Sequence, residues 1–196
     1  SVSRGLGDVY KRQVFNEGWG QHNTVEIVNK VIKYDDTRLI NGVTGWTDRG
    51  VGDMYDVHNY PVTSMILPEN NGNRISVLGE FGGYGWAIKE HIWNPNMRNW
   101  GYKNIDGAMA LIDSYGRLVY DLETLIAQGL SAAVYTQTTD VEGEVNGLIT
   151  YDRKVTKIPE GLLHLMHNRL YEITPAKAVT LIADGQNGSK NTRLVG

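Results

Sequence analysis

The stretch Ile75-Ser76-Val77-Leu78-Gly79-Glu80-Phe81-Gly82-Gly83 constrains the fold more than any other part of the chain. An apolar, β-branched run of this length reads as a strand covered on both faces, the environment of a parallel sheet. It ends on a single carboxylate, Glu80, and the glycines around it let another backbone or a ligand approach closely. Val14-Phe15-Asn16-Glu17-Gly18-Trp19-Gly20 repeats the design, with an Asn-Glu pair at the end of a short apolar run and an aromatic just beyond it. Two glutamates delivered at strand tips suit acid/base and nucleophilic work by a carboxylate pair, as in retaining glycoside hydrolysis.

Around these two runs, strand and helix patterns alternate. Asn23-Thr24-Val25-Glu26 has the spacing of a capping box and opens a helical stripe over residues 24–34, through Val25, Val28 and Ile32. A short strand follows at residues 38–42, then the glycine-rich loop of residues 45–50 with Trp46. Met54-Tyr55-Asp56-Val57-His58-Asn59-Tyr60-Pro61 is a strand closed by proline. Residues 84–104 hold Trp86, Trp93 and Trp100 without a period and read as a long loop, a lid or subsite wall. Met109, Ile112, Leu118, Leu122, Leu125 and Ile126 place one amphipathic helix over residues 106–128, ended by Gly129. Leu130-Ser131-Ala132-Ala133-Val134-Tyr135 is then a strand whose small residues suit a crowded interior, and Pro159 opens a last helix through Leu170. Residues 176–183 read as a further strand.

Strands alternating with helices predict βαβ units and a parallel sheet. The fold class expected is therefore α/β, a partial (β/α)8 TIM barrel that supplies about five of the strands, with its functional residues at the C-terminal strand tips. The N-terminal segment of residues 1–13 has no apolar period. Its last six residues, Asp8 to Gln13, resemble a translated sequencing-adapter end and are set aside with the rest of the segment. The expected organisation is this segment, a half-barrel over residues 14–171, and residues 172–196 as a linker or the start of a following β domain.

A formal charge of −3 argues against nucleic acid or an anionic membrane as partner. No cysteine is present, which excludes disulfides and thiolate chemistry. The chain has 11 Tyr and 5 Trp against 2 Phe, aromatics with a polar handle that suit either sugar stacking or ordinary core and rim positions. His164 and His167 share a helix face without an evident third metal ligand. Asp140, Glu142 and Glu144 alternate in a loop, as a structural Mg²⁺ or Ca²⁺ site or as a solvated charged face. The glycines of residues 79–85 lack the strand–GxGxxG–helix context of a dinucleotide site. Asn187-Gly188-Ser189 has the form of a glycosylation acceptor or of a chance match.

Taken in order, Asn16-Glu17, His58-x-Tyr60 and Gly79-Glu80-Phe81-Gly82, followed by residues 135–140, 146–148 and 151–152, resemble glycoside hydrolase family 2, the β-galactosidase and β-glucuronidase group. The resemblance spans residues 14–171. It implies a retaining exo-β-glycosidase of β-galactosidase type that uses no redox cofactor, in a cytoplasmic or periplasmic bacterial enzyme. It implies Glu17 as acid/base, Glu80 as nucleophile, and Asn16 as the ligand of the sugar 2-hydroxyl. Tyr60, with His58 close by, would contact the nucleophile, and Trp46, Tyr135 and Gln137 would contact sugar. The family often has Trp at the position matching Tyr135. Barrel strands one to three and the sandwich domains that precede them in the family are absent from this sequence. The partners implied are a carbohydrate substrate, the N-terminal half of the same protein, and a second copy in a homo-oligomer. Two other readings stand beside this one: an inactive carbohydrate-binding or structural half-barrel, and an endo-acting (β/α)8 glycosidase.

Overall fold

The apolar run around Val77 and Leu78, which are 2% and 0% exposed, lies at the centre of the molecule. A computed structural model describes residues 11–174. The strand expected at residues 176–183, the sequon and residues 1–10 lie outside the described residues. In chain order the elements are β1 (Lys11–Asn16), α1 (Thr24–Tyr34), β2 (Leu39–Thr44), β3 (Met54–Asn59), a 3-10 turn (Pro68–Asn70) and β4 (Ile75–Gly82). After these come β5 (Tyr84–Gly85), β6 (Lys103–Asn104), α2 (Gly107–Ala127), β7 (Leu130–Thr136) and α3 (Glu160–Leu170). Lys11, Arg12 and Gln13, set aside on sequence grounds, form the first half of β1 and pair with Leu39, Ile40 and Asn41.

The expected partial (β/α)8 barrel is corrected here. The described strands fall into three short parallel sheets, β1-β2, β3-β4-β7 and β5-β6, beside three helices, a mixed α/β fold. A barrel needs one hydrogen-bonded ladder running from strand to strand. Between β2 and β3 no such ladder forms: one backbone bond, from the Asp53 amide to the Ile40 carbonyl at 2.7 Å, is joined by side-chain bonds. The Ile40 amide donates to the Asp53 carboxylate at 2.7 Å, and the Asn41 side-chain amide donates to Asp56 at 2.6 Å. β7 pairs with β4 alone among the described strands. Ser131, Ala132 and Ala133, expected to fill an interior, are exposed.

The core lies between β4, β7 and the two later helices. Leu111, Tyr115, Leu118 and Leu122 recur at helical spacing along α2 and are all buried against Leu78, Phe81, Leu130 and Ile158. Each such leucine contributes about 1.5–3 kcal/mol by leaving water. Met109, counted in the expected stripe, is 77% exposed on the other face. Residues 84–104 are tied down rather than free to act as a lid. The β5-β6 pair closes the segment on itself, Trp86 donates its amide to Val145, and Trp100 exchanges backbone bonds with Gly143 and Val145 at 2.8 Å.

The helix α1 forms where the apolar spacing places it, but without its capping box. Asn23 takes a left-handed conformation (φ 44°) and makes no side-chain cap bond, while the Thr24 hydroxyl donates to Gln21. At the other end Asp35 accepts the Thr37 hydroxyl at 2.5 Å, the Thr37 amide at 3.1 Å and Arg38 at 2.8 Å. These bonds, the Thr37 hydroxyl foremost, hold its carboxyl down from 3.8 to about 2. A folded-state value below the unfolded one stabilises the fold above pH 3.8, and the contribution is lost as pH falls towards 2. Asp35→Asn is therefore expected to lower the Tm slightly at neutral pH, with the gap from the unsubstituted protein closing between about pH 3.8 and about pH 2. Thermal melts of both proteins across that range check this; a gap that does not change with pH would contradict it.

Candidate active site

The ends of β1, β3 and β4 bring the singled-out residues together. Glu17 follows the last residue of β1 and sits at φ 58°, a left-handed conformation that costs a non-glycine residue about 1–2 kcal/mol. Its surroundings hold it there: the Glu17 amide donates to the Thr44 hydroxyl at 3.3 Å, and the Gln21 side chain donates to the Glu17 carbonyl at 2.9 Å. His58 and Glu80 are register partners on β3 and β4, beside shifts in both ladders at Val57/His58 and Leu78/Phe81. Irregularities of this kind re-aim side chains at the edge of a sheet.

Two glycines make room for this arrangement. A Cβ on Gly79 would overlap the Asp56 carboxylate, which accepts the Gly79 amide at 2.8 Å. The glycine before Glu80 thus admits a buried carboxyl of the protein itself. Burial pushes the Asp56 carboxyl up, against the pull of Asn41, His58 and the Gly79 amide. Gly45, at φ +79°, leaves space that a Cβ would take 2.8 Å from His58 Nδ1.

His58 Nδ1 lies 3.2 Å from Glu17 Oε1 and 3.3 Å from Glu80 Oε2, so the imidazole stands between the two carboxylates. The Tyr60 hydroxyl donates to Glu80 Oε2 at 2.5 Å, and the Thr136 hydroxyl, 2.8 Å away, completes the coordination of the phenol oxygen. The Trp19 indole N–H donates to Glu17 Oε2 at 2.7 Å. The His58 side chain is 1% exposed, Glu17 15% and Glu80 29%. Burial, and then the bond to Glu80, push the Tyr60 hydroxyl far above its ordinary value, so it remains a neutral donor. Ligand atoms of Glu17, His58 and Glu80 all lie within 4.8 Å of one another.

The other expected contacts divide. Trp46 is 46% exposed and stands edge-on to both His58 and Trp19, with ring centroids 6.1 and 6.2 Å apart. Asn16 accepts the Thr44 hydroxyl at 2.7 Å, which leaves its NH₂ group free to donate. Tyr135 belongs to the core instead: its ring meets Phe81 and Tyr115 edge-on, and its hydroxyl accepts the Tyr84 amide at 3.3 Å. Gln137 donates to Asn146 at 2.9 Å.

Three neighbours were not among the expected contacts. Tyr102 stacks on Tyr60 at 3.5 Å with the rings 4° from parallel. Thr136 closes the strand below the phenol, and Trp19, the aromatic just beyond the Asn-Glu pair, is bonded to Glu17 itself. Position two residues beyond Glu17 was a usable signal for Trp19. Nothing in the aperiodic residues 84–104 marked Tyr102.

The alternating acids do not form a cation site. Asp140 is buried and accepts Lys157 at 2.7 Å and the Gly147 amide at 2.8 Å, Glu144 accepts Asn146 at 2.9 Å, and Glu142 is exposed. His167 meets the Tyr115 hydroxyl at 2.7 Å and His164 meets Asn168 at 3.1 Å, so each has a local partner.

A half-exposed carboxylate held by a phenol, a second one held by an indole, and an imidazole between them can attack an electrophilic carbon on one side and move a proton on the other. No family model matches the chain, and no curated protein matches it.

Proposed function

We propose that this chain carries the catalytic pair of a retaining β-glycosidase that removes terminal β-linked sugars, in the manner of glycoside hydrolase family 2. The observation that carries the reading is the bonded chain Tyr60–Glu80–His58–Glu17, with one oxygen of each carboxylate within 4.8 Å of one oxygen of the other. That spacing suits a retaining pair at about 5–5.5 Å better than an inverting pair at about 6.5–9.5 Å, which must leave room for water.

In this reading Glu80 attacks the anomeric carbon. Tyr60 and His58 both engage Oε2, which leaves Oε1 as the attacking atom. Glu17 delivers a proton to the departing oxygen and, once the glycosyl ester has formed, takes one from the incoming water. Asn16, its acceptor oxygen fixed by Thr44, offers its NH₂ group to the sugar 2-hydroxyl, where hydrogen bonds strengthen in the transition state. The exposed rings of Trp19, bonded to Glu17, and Tyr102, stacked on Tyr60, supply stacking surface for sugar rings.

The reading is tested by assaying aryl β-glycosides with the protein and with Glu80→Gln; equal signals from the two would overturn it. Glu17→Ala separates the roles further. It is expected to lower turnover of glycosides with poor leaving groups by about 10²–10⁴-fold, the usual value of general acid catalysis. Glycosides with activated phenol leaving groups, which need no proton, should lose far less in the first step, and added azide should restore their turnover. A uniform loss across leaving groups would remove Glu17 from the role.

A further inference from the structure

We propose that Glu17, His58 and Glu80 form a binding site for a divalent transition-metal ion of the Zn²⁺ type. The ion site stands on donor geometry alone; its consequence for turnover rests on the glycosidase reading. A tetrahedral Zn²⁺ with bonds of about 2.0–2.1 Å holds its ligand atoms about 3.3 Å apart. Glu17 Oε1 and Glu80 Oε2 stand 3.2 and 3.3 Å from His58 Nδ1, and the third separation is within 4.8 Å. Two of the three ligand–ligand distances are already those of a metal site.

The ring nitrogen between the carboxylates explains why a cation suits the place. One Nδ1–H can aim its hydrogen at a single oxygen, yet two carboxylate oxygens face it at nearly equal distance. A doubly charged ion that takes a lone pair from each of the three atoms balances both carboxylates at once, where a single proton cannot.

The surroundings are those of a prepared ligand set. His58 is 1% exposed and lodged in the space left by Gly45, so its ring is held in place. The Tyr60 hydroxyl braces the Glu80 carboxylate, and the Trp19 indole holds Glu17 by Oε2, the oxygen not turned to His58. Hydrogen bonds that orient carboxylate ligands in this way tune metal affinity. One imidazole with two carboxylates favours Zn²⁺ and its neighbours over Mg²⁺ or Ca²⁺, which seek six or more oxygens. With the ion bound, Glu80 cannot attack and Glu17 cannot carry a proton, so bound metal would act as an off-switch.

The test is calorimetric titration of the full chain with ZnCl₂ and, separately, MgCl₂, for the unsubstituted protein, Glu80→Gln, His58→Gln and the remote control His164→Gln. The expected result is one Zn²⁺ per chain, bound more tightly than Mg²⁺. Affinity should fall by about tenfold or more in Glu80→Gln and His58→Gln, since even the residues behind ligands cost about 10–100-fold, and should hold in His164→Gln. Zn²⁺ should raise the Tm of the unsubstituted protein and the control alone. If His58→Gln fails to melt cooperatively, the part-exposed Glu80→Gln decides. Absence of Zn²⁺ binding, equal affinity in all four proteins, or loss confined to His164→Gln overturns the site. Zn²⁺ that abolishes aryl β-glycoside turnover, reversed by chelator, supports the off-switch. If no glycoside is turned over at all, the glycosidase reading fails while the titration still decides the ion site.

Discussion

Glu80→Gln is expected to lower kcat on aryl β-glycosides by on the order of 10⁴-fold or more, with little change in Tm, as when the nucleophile of a covalent enzyme is removed. That loss corresponds to about 5–6 kcal/mol of transition-state stabilisation. Gln has the shape of Glu, so Tyr60 and His58 keep a partner and the β3-β4 pairing around residue 80 is undisturbed. It cannot attack, because an amide oxygen is a poor nucleophile and carries no charge to lose to the oxocarbenium-like centre. The 29% exposure of the Glu80 side chain means the substitution buries no unpaired group. Steady-state kinetics beside a thermal melt check both halves; turnover within about tenfold of the unsubstituted protein would take Glu80 out of the reaction.

The largest effect on stability is expected at Lys157. Its side chain is 0% exposed and that of Asp140 is 2% exposed. All three ammonium hydrogens have acceptors: Asp140 at 2.7 Å and the carbonyls of Trp86 and Val145 at 2.9 Å. One side chain thereby joins the segments around residues 86, 140, 145 and 157. Burial pushes the Asp140 carboxyl up and the Lys157 ammonium down, and their pairing works against both shifts. Lys157→Met removes the cation and strands a buried carboxylate, which costs about 3–5 kcal/mol, a large part of the roughly 5–15 kcal/mol that holds a domain together. The sign with pH follows from the raised carboxyl: the unpaired Asp140 is tolerated when protonated, so the penalty is smallest in acid and grows as pH rises. Adding Asp140→Asn should recover part of the loss, because it removes the charge and keeps an acceptor for the Gly147 amide. Denaturant unfolding of the three proteins measures this. A Lys157→Met variant within about 0.5 kcal/mol of the unsubstituted protein would show that the pair contributes nothing.

What the sequence reveals of the site depends on how each residue reaches it. Glu17, His58, Tyr60 and Glu80 are legible because each lies within two residues of the C-terminal end of a strand, and parallel strands put those ends at one edge. The helix over residues 24–34 and the extent of α2 are legible from spacing, but of the buried face of α2 the expected stripe holds only Leu118 and Leu122 and misses Leu111, Tyr115 and Val119. Tyr102 and Thr136 escape because they arrive through contacts 42 and 76 positions from Tyr60, by subtraction of their numbers, and no local pattern encodes such contacts. Tyr135 points into the core because the Tyr84 amide and the rings of Phe81 and Tyr115 claim it. The barrel expectation fails at one seam: Asp53 and the Asn41–Asp56 bond replace a ladder between β2 and β3, and alternating strands and helices in a sequence do not specify whether neighbouring strands zip. Asp140, read either as a cation ligand or as part of a solvated charged face, is neither: its partner Lys157, 17 positions away, is buried with it.

The central claim is that the glutamate at the tip of β4 becomes esterified to sugar while the one at the tip of β1 manages the proton. Incubation with a 2-deoxy-2-fluoro β-glycoside bearing an activated leaving group, followed by intact-mass and peptide mass spectrometry, tests it most directly, because the fluorine slows release of the covalent intermediate. The account predicts one sugar per chain, mapped to Glu80 and absent from Glu80→Gln. No adduct, or an adduct on any other residue, would contradict it.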